Sequence, residues 1–292
     1  MRQKIFYILI FIFSITSISL AGHKNIHSKE YCEELLESAR KEYFARNYVK
    51  SLEILTELQL MLKESNNTEL ELSSLNFLGL IYIDLLAYDK SMECFLRMYE
   101  LGVASNNLKA QIIALNNISI IYNENNENYE ALDYLKKAYN ISLKLNDSAK
   151  IGQIASSIVY TANLIKDTAL VEQYINIVKN TPIEDKGSTM YINSVIVQFL
   201  LNKGDYSAAE ALALEILQEE MDPRQKISLY FLLSDIYQHK GDTKKTVQYL
   251  YDILNEKPII REKIKVYELL SQFYIENYCW CVTNRINYTE VH

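Results

Sequence analysis

Apolar residues recur along most of the chain at the three- and four-residue spacing of an amphipathic α-helix. Four segments share one order of side chains: an apolar residue, two variable positions, an apolar residue, a small residue, two variable positions and a tyrosine. These segments are 75–82, 115–122, 230–237 and 267–274. The pattern predicts helices that recur at a fixed interval along the chain.

Aligning the chain on the tyrosine of this pattern gives a repeat of 37 to 40 residues. The tyrosine column reads Glu42, Tyr82, Tyr122, Ala162, Leu200, Tyr237 and Tyr274. Nine residues further on, a second column of mostly small residues reads Ser51, Ser91, Ala131, Val171, Ala209 and Thr246. Turn-forming pairs such as Lys166-Asp167, Gly204-Asp205 and Gly241-Asp242 separate the two columns. We therefore expect six full repeats and the first helix of a seventh across residues 32–278.

These columns resemble the tetratricopeptide repeat, a pair of helices with a bulky residue, Leu-Gly, Tyr, Ala and Phe at set positions. The resemblance implies an all-α fold, a right-handed α-solenoid of stacked helix-turn-helix units. Small residues are expected where two helices approach closely, at Ala39, Gly79, Ser119, Ser234 and Ser271. Large residues should fill the gap to the neighbouring pair, at Leu55, Phe95, Leu135, Ile175 and Leu250. Stacking of such pairs creates one continuous core.

The first 21 residues have the order of a secretory signal. Arg2 and Lys4 precede the apolar run 5–13, and small residues lead to Ser19-Leu20-Ala21. We expect cleavage after Ala21, which would make the protein exported and periplasmic or associated with the cell envelope. The alternative is a retained anchor, although the apolar run is shorter than the about 20 residues that span a bilayer. A thioether-linked lipid is excluded at this site because His23 occupies the position of the required cysteine.

Composition supports a helical protein and argues against binding to nucleic acid. The chain is 49% hydrophobic and contains only 7 Gly and 3 Pro, too few turn residues for a many-stranded β fold. After residue 21 it carries 28 basic and 37 acidic residues. A nucleic-acid partner needs a basic face, so we expect no such partner.

The sequence offers little chemistry for catalysis. It contains no Gly-x-Ser-x-Gly elbow, glycine-rich phosphate loop or His-Glu-x-x-His helix. His23 and His27 have a metal-binding spacing but lack a third ligand, and Cys279 and Cys281 have no second pair. We therefore predict that the protein is not an enzyme and has no metal or cofactor.

The resemblance places a binding groove along the first helices of the repeats. The main candidates are Arg40, Tyr43, Asn76, Asn116, Asn123, Tyr160, Asn163, Gln198 and Gln238. The same columns contain Leu36, Leu80, Ile83, Ile120, Ser156, Ser194, Leu201, Phe231 and Asp235. Arg40 is the only basic residue in this set, so the groove is expected to be neutral, rich in amides and lightly aromatic. Asn side chains offer paired donors and acceptors, which suit a protein or peptide partner.

Two functions remain open at this point. The first is an exported scaffold that binds a protein or peptide. The second is the sensory part of a truncated signal-transduction regulator, because the chain resembles the N-terminal repeat region of bacterial envelope regulators. Beyond residue 278 the amphipathic period fails, which predicts an irregular tail at 279–292. Apolar residues left uncovered at this end predict self-association there.

Overall fold

The computed structural model describes residues 29–63, 67–181 and 186–289, with side chains described at all of these positions except 186–189 and 276–289. The predicted signal segment and its cleavage site lie outside these residues. The described chain contains thirteen helices and no strand. The helices are α1 Lys29–Phe44, α2 Tyr48–Leu62, α3 Thr68–Asp84, α4 Tyr88–Ala104, α5 Leu108–Glu124, α6 Asn128–Leu145, α7 Ser148–Leu164, α8 Thr168–Lys179, α9 Lys186–Asn202, α10 Tyr206–Ile216, α11 Pro223–His239, α12 Thr243–Asn255 and α13 Ile260–Thr289. The all-α prediction is therefore confirmed.

The chain divides into two compact units. The first runs to Ile83 and also contains Tyr88–Ala110, so that it holds α1 to α4 and the start of α5. The second contains the short segment Asp84–Ala87 and the chain from Gln111 onward. It holds the rest of α5 and α6 to α13.

In the first unit, successive helices pair through a repeated hydrogen bond. The Ser51 hydroxyl of α2 donates to the carbonyl oxygen of Ala39 in α1 at 2.8 Å. The Ser91 hydroxyl of α4 donates to the carbonyl oxygen of Gly79 in α3, also at 2.8 Å. A Cβ atom on Gly79 would lie only 2.5 Å from the ring of the fully buried Phe95. The small-residue column is thus small because a second helix packs directly against it.

A left-handed backbone residue closes the turn inside each helix pair. These residues are Arg46, Leu86, Asn126, Lys166, Gly204 and Gly241, and their spacing follows the repeat period read from the sequence. In the pairs α7–α8, α9–α10 and α11–α12, an aspartate follows this residue and its side chain accepts from a backbone N–H of the second helix. Together the two features end one helix and start the next within a few residues.

The core of the second unit lies between neighbouring helix pairs. Val159, Val171, Ile175 and Phe199 join α7, α8 and α9 in one apolar cluster. The next clusters join α9 to α11 and then α11 to α13. The five large residues predicted to fill the gaps between repeats are all buried: Leu55, Phe95, Leu135, Ile175 and Leu250.

The C-terminal region differs from the prediction. Residues 279–289 continue helix α13 as far as Thr289, where the sequence predicted an irregular tail. The physical reason is that residues 260–289 contain neither proline nor glycine, so nothing stops the helix even after its amphipathic period fails. Within the described part of the chain, no helix combines the length and the apolar character needed to span a membrane.

Candidate functional site: a cavity lined by first helices

The second unit contains a cavity of about 640 Å³ whose walls come mainly from α7, α9, α11 and α13. Each of these is the first helix of a helix pair. Their lining residues recur because equivalent positions of successive repeats face the same side of the stack. The cavity has the size range of small-molecule and peptide sites.

Aromatic and other apolar side chains form most of the wall. Tyr160 of α7, Tyr191 of α9 and Phe231 of α11 line it, together with Met190, Met221 and Leu269. Tyr160 is 46% exposed and Tyr191 is 39% exposed, so both rings remain accessible. Rigid, amphipathic rings of this kind supply contact area at a low cost in conformational entropy.

Neutral polar groups lie between the aromatic residues. Asn163 lines the cavity, and its Nδ2 is buried with no hydrogen-bond partner among the described residues. Gln198 donates to Asn202 at 3.1 Å, and Ser194 donates to the Met190 carbonyl oxygen at 2.8 Å. An unpaired buried donor costs free energy until an acceptor reaches it.

Hydrogen bonds between repeats hold the wall in place. The Ser157 hydroxyl donates to Asn116 Oδ1 at 2.8 Å and lies 3.1 Å from the Tyr191 hydroxyl. Further along the same two helices, Asn123 Nδ2 donates to Thr161 Oγ1 at 2.9 Å. Asn116 and Asn123 thus tie α5 to α7 and position the wall without lining the cavity.

Charged side chains lie at the edges of the cavity. Arg224 forms an ion pair of 2.7 Å with Asp84, which belongs to the same unit. Lys265 Nζ lies 4.6 Å from the centre of the Phe231 ring, a cation–π distance. Asp235 Oδ1 lies 3.2 Å from His239 Nδ1. The Arg261 guanidinium bonds Glu124 at 3.0 Å, which joins the start of α13 to the end of α5.

Partial enclosure by the helices shifts the pKa values of several groups that line the cavity. Burial raises the pKa of Tyr191 to about 12 and also raises the pKa of Tyr160. Burial raises the pKa of Asp235 in spite of His239 and Lys265, and lowers the pKa of Lys265 in spite of Glu124 and Asp235. Both shifts favour the neutral form, as partial removal from water does.

Four of the nine predicted groove residues meet in this cavity: Tyr160, Asn163, Gln198 and Gln238. Ser194, Phe231 and Asp235, from the same columns, join them. Arg40, Tyr43 and Asn76 belong to the first unit, where Arg40 is exposed and forms an ion pair with Glu37.

The prediction for Tyr43 is wrong. Its side chain is buried and packs against Phe44, Tyr48 and Phe77. Ile83, Ser156 and Leu201 of the same columns are buried as well. The column of Tyr43, Ile83 and Leu201 also supplies Asn163 and Gln238 to the cavity wall, so the position in the repeat does not by itself decide whether a side chain is exposed.

The neutral groove that the sequence predicted is also incomplete, since Arg224 and Lys265 line the cavity. Sequence reasoning missed a further column, six residues before the small position of the repeat. It contains Tyr191, Ser228 and Lys265, all of which line the cavity. Extending the predicted face by one more turn towards the N-terminus of each helix would have found it.

Among the described residues, no group of three or more His, Cys, Asp or Glu side chains is arranged to hold a metal ion. The His23 and His27 pair lies outside the described residues. Cys279 and Cys281 lie in α13, where side chains are not described.

No protein-family model matches the chain. No curated protein matches it either. Among solved structures, the apo form of RapI is 16% identical, with a TM-score of 0.61 over 88% of this chain and 93% of that one. Pseudomonas aeruginosa pilF is 13% identical, with a TM-score of 0.46 over 83% and 98% of the two chains. A tetratricopeptide repeat protein from Parabacteroides merdae is 14% identical, with a TM-score of 0.39 over 84% and 99%.

The RapI likeness concerns the fold alone, and it agrees with the geometry of this chain. The helix pairs, the left-handed turns at the repeat period and the buried small and large columns all follow the signature read from the sequence. The chain has the tetratricopeptide-repeat fold.

Proposed function

We propose that the protein is a non-catalytic scaffold that binds a peptide segment of a partner in the cavity of the second unit. The observation that carries the proposal is a cavity of about 640 Å³ whose mostly apolar wall holds neutral polar groups on successive first helices. A peptide fits such a wall, because its backbone pairs with neutral polar side chains while its apolar side chains contact the aromatic rings.

The arrangement of the wall favours a peptide over a purely apolar ligand. Asn163, Ser194, Gln198 and Gln238 are spread over three successive first helices, α7, α9 and α11. Polar groups at repeated intervals suit a ligand that itself carries polar groups at repeated intervals. Tyr160 and Phe231 lie in the same wall and provide rigid anchoring surfaces.

A pool of random eight-residue peptides tests the proposal, with mass spectrometry identifying the peptides that the immobilised protein retains. Enriched peptides should carry apolar or aromatic residues. Replacing Tyr160 and Asn163 together by alanine should weaken their binding by about 2 kcal/mol or more, the range of interface anchor residues. Tyr129→Ala is the matched control, because Tyr129 is 71% exposed and lies outside the cavity. Equal binding by the cavity variant and the wild type, or no enrichment at all, would refute the proposal.

We further propose that the scaffold acts outside the cytoplasm. The support is the order of basic, apolar and small residues before Gly22. N-terminal sequencing of the protein recovered from cell envelopes should begin at or near Gly22. Recovery of an intact Met1 in the membrane fraction would instead indicate a retained anchor.

A further inference from the structure

Two ion pairs join parts of the second unit that are far apart along the chain. The Arg224 guanidinium lies 2.7 Å from the carboxylate of Asp84, and the Arg261 guanidinium lies 3.0 Å from that of Glu124. The partners are 140 and 137 residues apart in sequence, and all four belong to the second unit. A repeat stack is otherwise held together by contacts between neighbouring repeats, so these two pairs are of a different kind. We call them the seam.

The two pairs of the seam occupy equivalent positions of successive repeats. Asp84 and Glu124 each follow the tyrosine column of their repeat by two residues, and Arg224 and Arg261 each precede it by 13 residues. Each pair therefore joins repeats that are four apart along the chain. Because the same two columns meet twice, the seam follows from the regular winding of the stack and is not a chance meeting of charges.

The second pair closes a ring of first helices. Asn123 donates to Thr161 and so joins α5 to α7. Apolar clusters join α7 to α9, α9 to α11 and α11 to α13. Arg261, near the start of α13, then returns to Glu124 at the end of α5. Five first helices thus form a closed circuit, and its last link is an ion pair.

The seam lies at the edge of the cavity. Arg224 is itself part of the cavity wall. Burial is the main cause of the raised pKa of Tyr160, and the charge of Glu124 raises this pKa further while that of Arg261 lowers it. The second pair is therefore close to Tyr160, which also lines the cavity. A peptide that approaches the cavity from between α13 and α5 meets this pair.

The seam is of a kind that can open while the repeats stay folded. Arg261 and Glu124 are each 33% exposed. Ion pairs in contact with water contribute little to stability, and salt screens them. The helix pairs and the apolar clusters between them use other residues, so they can persist when the two charges separate.

We propose that the seam is a latch, which holds the ring of first helices closed beside the cavity and opens to admit a peptide. Its role in admitting a peptide rests on the function proposed above, whereas the opening and closing do not. A gate that closes over the empty and the occupied cavity alike slows both entry and exit. The latch therefore sets how fast the partner exchanges, and salt should speed this exchange.

Labelling of a cysteine in the cavity wall measures the latch without any peptide. In a background whose four native cysteines are replaced by alanine, Ser194→Cys places a thiol in the wall. The measured quantity is the labelling rate with a maleimide that carries a long polyethylene glycol chain, divided by the rate with N-ethylmaleimide. This ratio removes differences in thiol reactivity. It should be lower at Ser194→Cys than at Tyr129→Cys, since Tyr129 is 71% exposed and lies outside the cavity.

Reversing one charge should open the latch. Arg261→Glu places two like charges in the seam and should raise the ratio at Ser194→Cys by about tenfold or more. Adding Glu124→Arg restores opposite charges and should return the ratio to near its original value. Lys203→Glu is the matched control, because Lys203 forms an ion pair of 3.9 Å with Glu172 outside the seam, and it should leave the ratio unchanged. Circular dichroism checks that every variant keeps its helices.

Three results would overturn the latch. They are equal ratios at Ser194→Cys and Tyr129→Cys in the original seam, an unchanged ratio in Arg261→Glu, and a charge swap that stays as open as the single variant.

A peptide from the enriched pool then tests the role in entry. It should associate with Arg261→Glu and dissociate from it faster than with the original protein, at similar affinity, and equal rates would refute that role. If the pool yields no peptide, the function proposed for the cavity fails while the labelling result still decides whether the latch exists.

Discussion

Replacing Gly79 by alanine tests how closely the two helices of a repeat approach each other. An ideal Cβ at this position lies 2.5, 2.6 and 2.9 Å from three atoms of the Phe95 ring. Phe95 is fully buried and Gly79 lies in the interior of α3. The ring can make room only by pushing on its own neighbours, because protein interiors are packed like crystals.

Two effects of opposite sign determine the result. Overpacking a filled core costs about 1–3 kcal/mol. Alanine is favoured over glycine in a helix interior by about 0.5–1 kcal/mol. Because the contacts are with three ring atoms and not with the end of a flexible chain, we expect overpacking to win. The net loss of stability should be about 1–2 kcal/mol.

Hydrogen exchange is the suitable assay, because repeat arrays can unfold in parts and a single melting curve would average over them. Amides of α3 and α4 that exchange through opening of this helix pair should exchange roughly five- to thirtyfold faster in Gly79→Ala. Amides of α11 and α12, in the second unit, provide the internal comparison and should change little. Equal or slower exchange in α3 and α4 would refute the packing argument.

A second substitution identifies the cause. Phe95→Leu shortens the side chain that the new methyl group strikes, so the combined variant should lose less stability than the sum of the two single changes.

Gly204→Ala is the matched control. A Cβ there has no atom within 4 Å, and the φ angle is +77°. Its cost of about 1–2 kcal/mol should come from backbone strain alone, and no neighbouring substitution should relieve it.

Three further predictions concern single groups. Burial raises the pKa of the Cys94 thiol from 9.0 to about 11, so iodoacetamide at pH 8 should alkylate it about a hundredfold more slowly than an unperturbed thiol; an ordinary rate in the folded protein would contradict this. Tyr191 and Tyr237 have pKa values raised to about 12 by burial, with Glu210 also raising that of Tyr237. Their stabilising contribution is complete below the unfolded pKa of about 10 and is lost as the pH rises from 10 towards 12. The urea midpoint of unfolding should therefore fall between these pH values, and it should fall less in Tyr191→Phe. A urea midpoint that does not change with pH in this range would contradict the pKa shift. Asp222 accepts from the backbone N–H groups of Arg224 and Gln225 and forms a capping box with Gln225, so Asp222→Ala should lower stability by about 1 kcal/mol, and an unchanged exchange rate in α11 would argue against it.

The repeat period and the turns could be predicted because they depend on local chemistry. Gly204 and Gly241 adopt the left-handed conformation, and the aspartates after them cap the next helix. Such turn residues specify a structure within four or five positions. The large-residue column was predictable for a similar reason, since each of its members packs against an adjacent helix.

The cavity was only partly predictable, because its shape depends on how successive helix pairs are rotated. Tyr160, Asn163, Gln198 and Gln238 followed from the repeat register. Tyr191 and Lys265 did not, since they lie one turn before the columns that the resemblance assigns to the groove. The opposite error occurred at Tyr43, which was predicted to line the groove but is buried because neighbouring aromatic residues cover it. The helix after residue 278 was missed because the amphipathic pattern ends there. A helix can continue beyond that pattern as long as the sequence contains no helix breaker.

The left-handed turn residues affect how substitutions can change the stability of this protein during evolution. Four of the six, Arg46, Leu86, Asn126 and Lys166, have a side chain in a conformation that favours glycine. Each of these turns is therefore a site where one codon change can adjust the stability of a single helix pair. None of the four residues lines the cavity. Selection, or an engineer, can thus alter the stability of individual repeats at the turns while the side chains of the cavity wall stay the same.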